Sequence, residues 1–311
     1  MRPRLALLLF ALLVAAAVGV SAWVTYRNGI PPDDVWGKQG VQEGDFARPR
    51  AVAIDPATGH MFVVDFTARI QMFDLNGKYL GPTWTTPDFR NGRPSGLSID
   101  RDGNLLVADS HYHCVRVYDH AGKELKKLGG EGGDLPGQFG YVSDCVQDAE
   151  GFYYLSEFGQ NQRITKLDPD GKFVACWGEQ GTGPLQFNRV RALAIGPDGL
   201  LYAADACNHR IQVLTRDGQF VREFGSPGTE PGQFQYPYDL CFRPGGEELY
   251  VAEYGNQRIQ KVTTDGKSLA IWGKPGRGPG ELNSPWAVGV DTSGRVHVID
   301  TENHRVQRVR F

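Results

Sequence analysis

The residues able to do chemistry fall into a few groups. Asp144 and Glu157, and again Asp239 and Glu253, are carboxylates on either side of short hairpins turning near Glu150-Gly151 and Gly245-Gly246. Folding each hairpin about its turn predicts Asp144 opposite Glu157 and Asp239 opposite Glu253. Carboxylates side by side repel, so a proton, an arginine or a cation must sit between them. Arg191, Arg163 and Arg258 are the internal candidates, and Ca2+ is the external one, because hard cations take oxygen ligands. Arginine is the expected partner, since no loop has the dense Asp/Asn spacing of a dedicated calcium site. His111, His113 and Cys114 carry zinc-type donors, but sequence supplies no further ligand nearby, so they read as loop residues. No GxSxG, HExxH or phosphate loop is present. The glycine-rich stretches Gly178 to Gly183 and Gly273 to Gly280 lead into strands and serve as turns. No cofactor is expected, with Ca2+ or Zn2+ the ions these donors could take.

Composition narrows the partners. With 33 Lys plus Arg against 36 Asp plus Glu, net charge -3 and a pI of 6.2, no broad basic surface is available for nucleic acid. Hydrophobic residues at 41% and charged residues at 22% are globular proportions, and 40 Gly in 311 residues imply many tight turns. The five cysteines form no CxxC pair, so buried or free thiols are expected.

Arg2 and Arg4 precede an apolar run from Leu5 to Val24, with Tyr26 and Arg27 after it. The run matches the roughly 20 residues a membrane-spanning helix needs, while Val20-Ser21-Ala22 is an acceptable cleavage site. Residues 1–24 are therefore expected to be either an uncleaved anchor or a cleaved signal, residues 25–32 a short tether, and residues 33–311 a domain outside the cytoplasm. The first alternative gives a cell-membrane protein, the second a secreted or periplasmic one. A monomer is expected.

That domain is a repeat. Six segments carry an acidic residue after a short apolar strand, then a loop, then a basic and β-branched run, with the acidic residues Asp65, Asp109, Glu157, Asp205, Glu253 and Asp300 spaced 44, 48, 48, 48 and 47 residues apart. Asp-Gly and Asn-Gly turns divide each segment into four short strands. Four strands per roughly 48 residues, repeated radially, predict an all-β fold, a six-bladed β-propeller. The repeat resembles the NHL repeat, whose signature stands intact as Asn208-His209-Arg210-Ile211 and Asn303-His304-Arg305-Val306, with close variants at Asn161 to Ile164 and Asn256 to Ile259. The sixth segment stops at its third strand, so residues 33–37 are expected to supply its fourth and close the ring.

A residue repeated in most blades is expected to be structural, so Asp205, Asn208, Arg210, Asp300, Asn303 and Arg305 are assigned to turn hydrogen bonds and ion pairs. Function is expected where blades differ, at the channel mouth. There the position after a Pro-like residue holds Arg50, Ser95, Ser143, Arg191, Tyr238 and Trp286 in turn, a ring suited to a protein, peptide or small anionic or aromatic ligand. The resemblance to NHL propellers implies binding or sensor roles, or an amidating-lyase activity on α-hydroxyglycine peptides. In that lyase these mouth positions hold zinc-binding histidines, and here none is His. The leading expectation is a binding scaffold or sensor, and the alternative is a metal-dependent propeller enzyme, lactonase-like or, less favoured, lyase-like, resting on Asp144, Glu157, Asp239 and Glu253.

Overall fold

A computed structural model describes residues 30–87 and 92–311. The expected N-terminal helix lies outside the described residues, and among those described no helix is long and apolar enough to cross a membrane.

Among the described residues, six four-stranded antiparallel sheets follow one another along the chain. Blade 4 shows the pattern: Val190–Ile195 lies innermost, followed outward by Leu201–Asp205, Arg210–Leu214 and Phe220–Phe224. The equivalent innermost strands are Pro49–Ile54, Pro94–Ile99, Tyr141–Gln147, Pro237–Phe242 and Pro285–Val290. Second strands such as Leu201–Asp205 are buried along their whole length because both faces are covered by neighbouring blades, which explains their continuous apolar runs.

The ring closes as expected. Asp34–Trp36 pairs antiparallel with Arg305–Val309, Asp34 opposite Arg308 and Trp36 opposite Val306. Trp272 fastens Ile30 to Phe311, its indole N–H donating to the Ile30 carbonyl at 2.6 Å and its ring stacking on Phe311. Six apolar clusters lie between successive blades, and the one joining blade 6 to blade 1 combines Ile299 and Val306 with Phe46, Val52 and Val63. Each blade thus completes its core only against its neighbours.

One irregularity recurs in all six blades. The register between innermost and second strand slips by one residue at the start of the innermost strand, between Pro49 and Ala51, Pro94 and Gly96, Val142 and Asp144, Val190 and Leu193, Pro237 and Asp239, and Pro285 and Ala287. A β-bulge leaves one residue unpaired and re-aims its side chain.

Candidate functional site: an arginine and aromatic arc at the channel mouth

The repeated acidic residues build a framework. All six are fully buried, and each has an arginine: Asp65 with Arg69, Asp109 with Arg116, Glu157 with Arg163, Asp205 with Arg210, Glu253 with Arg258 and Asp300 with Arg305. Arg210 also donates to the carbonyls of Thr182, Gly183 and Gln186 at 2.6 to 2.8 Å, and Arg305 repeats this with Arg277, Gly278 and Glu281. Asn208 and Asn303 bridge Asp205 and Asp300 to the carbonyls of Gly181 and Gly276. Burial pushes the carboxyl groups of Asp205 and Glu253 upward while their arginine and asparagine donors pull them back. The signature histidines adopt left-handed backbone and accept from the next blade, His209 Nδ1 from the Tyr236 N–H and His304 Nδ1 from the Arg48 N–H. These motif residues hold loops and blades together.

The expected carboxylate pairs do not form. Because of the bulge, Asp144 faces Ser156 and Asp239 faces Ala252, whereas Glu157 and Glu253 face Val142 and Pro237. Glu157 is occupied by Arg163, Asn161 and Thr165, and Glu253 by Arg258, Asn256 and Gln260. Asp144 and Asp239 instead turn into the channel, each accepting from the next blade: Leu193 N–H to Asp144 and Val288 N–H to Asp239, both at 2.9 Å. Burial raises both, Asp144 to about 8 with the charge of Asp239 adding to it, and Asp239 to about 7. Arg191 favours their ionised forms but makes no ion pair with either among the described residues. Nor are the zinc-type donors assembled: Cys114 is buried, His113 Nδ1 contacts the Gly140 carbonyl at 2.8 Å, and His111 packs on Tyr141. Among the described residues no group of three or more His, Cys, Asp or Glu could hold a metal ion.

The residue left out of register in each bulge is a mouth position: Arg50, Ser95, Ser143, Tyr238 and Trp286, and in blade 4 Arg191 together with Ala192. The two serines are turned between blades. Both are buried, with Ser95 Oγ bonded to Ser110 Oγ and the Ser143 carbonyl, and Ser143 Oγ to the Val190 carbonyl. The remaining four join neighbours in an alternating arc. Arg93 and Arg50 lie 3.7 and 5.7 Å from the Phe66 ring, Arg50 and Arg191 lie 4.3 and 5.3 Å from the Trp286 ring, and Arg191 and Arg189 lie 4.9 and 6.0 Å from Tyr238. Arg189 then reaches Phe158, and Tyr254 stacks on Tyr238 at 4.6 Å. Cation–π contacts of this kind are worth about 0.5 to 2 kcal/mol each.

The arginines are poorly balanced. Arg48 pairs with Glu302, but the guanidinium groups of Arg50, Arg93, Arg189 and Arg191 form no ion pair or hydrogen bond with a described residue, and all four Nε atoms are buried without a partner. Burial and the charges of Arg191, Arg93, Arg48 and Arg189 push Arg50 down to about 9. Arg191, 5% exposed, is pushed down to about 10 by burial and by Arg189. His111 is lowered too, by burial and then by Arg50.

Beneath this layer a void of about 20 Å³ separates the arginines from Asp144 and Asp239, room for about one water. Past the aspartates the channel widens to a cavity of about 440 Å³ at the end where the innermost strands turn back, walled by Ile54, Ile99, Val146, Ile195, Phe242 and Val290.

Sequence reasoning did not find Phe66, Arg93, Phe158 or Arg189. A signal existed: Phe66, Phe158 and Tyr254 each follow a repeated acidic residue, and Arg48, Arg93 and Arg189 stand two residues before a mouth position.

Comparison with known proteins agrees with this architecture. The NHL repeat family model matches residues 91–118, 187–214 and 282–309, within blades 2, 4 and 6; the chain carries NHL repeats in a six-bladed β-propeller. It is 39% identical to peptidylglycine α-amidating monooxygenase of Rattus norvegicus over 113 residues, 33% of this chain and 12% of that protein. NHL repeat-containing protein 3 of Mus musculus is 29% identical over 171 residues, 50% of this chain and 49% of that protein. The chain thus spans half or less of these relatives. Among solved structures, streptogramin B lyase superposes with a TM-score of 0.62 at 13% identity, covering 91% of this chain and 98% of that one, and the WD40 propeller domain of Doa1 with 0.58 at 16%, covering 84% and 78%. At such identities the structures share the fold alone.

Proposed function

We propose that this NHL-repeat propeller is a binding module, a scaffold or sensor without chemistry of its own, whose channel mouth recognises a protein, peptide or small ligand. The observation that carries the reading is the contrast within each blade. The buried carboxylate and arginine pair is repeated six times, while the bulge residue beside it changes identity from blade to blade. A bulge costs sheet hydrogen bonds and gains a re-aimed side chain, and Arg50, Arg191, Tyr238 and Trp286 gather around one opening.

An enzymatic reading would rest on the similarity to amidating monooxygenases, which covers 113 residues, and a metal mechanism would need donors converging at the channel. Asp144 and Asp239 are two such donors, and Glu157 and Glu253 are bound within the framework. The charged and apolar N-terminal pattern, Arg2 and Arg4 before Leu5 to Val24, supports placing the module outside the cytoplasm, held at the membrane or exported.

The test is partner capture from membrane and extracytoplasmic fractions with the full chain and with the fourfold variant R50A/R191A/Y238A/W286A. Partners lost with the variant, at unchanged folding, support the reading. Partners kept by it place recognition elsewhere on the propeller.

A further inference from the structure

The geometry points to a dianion as the ligand of the mouth: a phosphate monoester or a dicarboxylate borne on a flat apolar group. This rests on the reading of the mouth as the recognition surface, and it follows from how the protein treats its other buried arginines. Arg163, Arg210 and Arg258 are 7 to 9% exposed, and each meets a buried carboxylate and backbone carbonyls. Arg191 is as buried and has neither. A buried guanidinium left without acceptors is costly, so its acceptor is expected to come from outside the chain.

Two features define that acceptor. The guanidinium carbons of Arg50 and Arg191 lie 4.3 and 4.9 Å from the ring centres of Trp286 and Tyr238, and neither group donates to a described residue, so their N–H groups remain for oxygen atoms such as those of carboxylate or phosphate. The positive charge is also plural, and mutual repulsion already lowers Arg50; one negative charge would leave most of it unbalanced, and two would balance Arg50 and Arg191. The channel aspartates do not pair with them: Asp144 and Asp239 accept from the Leu193 and Val288 N–H groups and form no ion pair with either arginine among the described residues. With a void of only about 20 Å³ beneath the arginines, the anion sits on their outer side, where the partly exposed Trp286 and Tyr238 offer its apolar group aromatic contact.

The test uses the full chain, thermal melting and calorimetric titration at pH 7.5 and constant ionic strength. Phenyl phosphate and terephthalate are the dianionic probes; benzoate, inorganic phosphate and benzyl alcohol are controls of lower charge or without a ring. The expected result is a rise in melting temperature with one or both dianions, exceeding that with benzoate or benzyl alcohol, and a loss of affinity of tenfold or more in R50Q/R191Q. Which dianion binds more tightly distinguishes phosphate from dicarboxylate. A response to dianions that survives in R50Q/R191Q overturns the inference, as does the absence of any dianion effect. Benzyl alcohol binding that is lost in W286A, with no anion effect, overturns the dianion while leaving the mouth as the recognition surface. Partners that persist in the fourfold alanine variant overturn the mouth reading itself.

Discussion

Arg116 donates to Asp109 at 2.8 Å from the third residue of its strand, whereas every other blade places the arginine at the first. Cys114 occupies that first position, and Arg116 stands where blades 4, 5 and 6 have Gln212, Gln260 and Gln307, which bond the same repeated carboxylate. Blade 2 therefore keeps the ion pair while departing from the Asn-His-Arg order. Removing one member of a buried pair costs about 3 to 5 kcal/mol, so R116A should lower unfolding free energy by about that much in urea denaturation. The swap C114R/R116Q restores the arrangement of the other blades and should recover most of the loss; a swap no better than R116A would show that blade 2 cannot accept it.

The seam between blade 6 and the strand Asp34–Trp36 predicts a different failure. Residues 34 to 36 cover the strand Arg305–Val309, and Trp272 clasps Ile30 and Phe311. Deleting residues 31–37 uncovers a sheet edge, and such edges recruit other chains. Size-exclusion chromatography should show self-association, with a broadened unfolding transition. A monomer that melts as sharply as the intact chain would mean that Asp34–Trp36 contributes little.

Gly96 marks a close approach of blades 2 and 3. A Cβ there would lie 2.5 Å from the Ser143 carbonyl oxygen and 2.6 Å from Asp144 Oδ1. G96A should destabilise by about 1 to 3 kcal/mol through overpacking. Adding D144A should not restore stability, because the Ser143 carbonyl is backbone. Full recovery in the double variant would place the clash on the Asp144 side chain alone.

The repeat spacing made the six blades, their order and the closure legible, since four short strands between turn glycines admit few other arrangements. The mouth positions were legible too, because Arg50, Ser95, Ser143, Arg191, Tyr238 and Trp286 are unlike residues at one place in a regular repeat. The bulge was not. Strand alternation assumes an unbroken register, and an extra residue at 143 and 238 moves Asp144 and Asp239 one step from the expected partners Glu157 and Glu253. Nor could sequence tell that the hydroxyls of Ser95 and Ser143 are consumed between blades. Such bonds depend on how closely two inner strands approach, which no local pattern encodes.

The channel aspartates make stability depend on pH in a direction opposite to ordinary ion-paired carboxylates. Folding raises Asp144 to about 8 and Asp239 to about 7, above the roughly 3.9 of an unfolded aspartate. Between about pH 4 and 8 the folded chain then binds more protons than the unfolded one, so these groups stabilise fully below that range and lose their contribution as pH rises through it. The slope is at most about 1.4 kcal/mol per pH unit for each group. D144N/D239N should flatten the decline in denaturant midpoint from pH 5 to 8. An unchanged decline would assign it to other groups.

Arg191 and Arg210 are both buried, and the opposite consequences of removing them separate binding from structure. Arg210 holds Asp205 at 2.9 Å together with three carbonyls, so R210Q leaves a buried carboxylate short of its cation and should cost about 3 to 5 kcal/mol. Arg191 has no anion to abandon. R191Q forfeits contacts with the rings of Tyr238 and Trp286, about 0.5 to 2 kcal/mol each, and removes an unpaired buried charge that repels Arg189. These terms are of similar size, so R191Q should unfold within about 1 kcal/mol of the parent chain. Equilibrium urea denaturation of both variants in buffers free of phosphate and carboxylate decides the matter. Near-parent stability for R191Q beside a large loss for R210Q leaves Arg191 free for recognition, whereas equal losses would make Arg191 part of the framework.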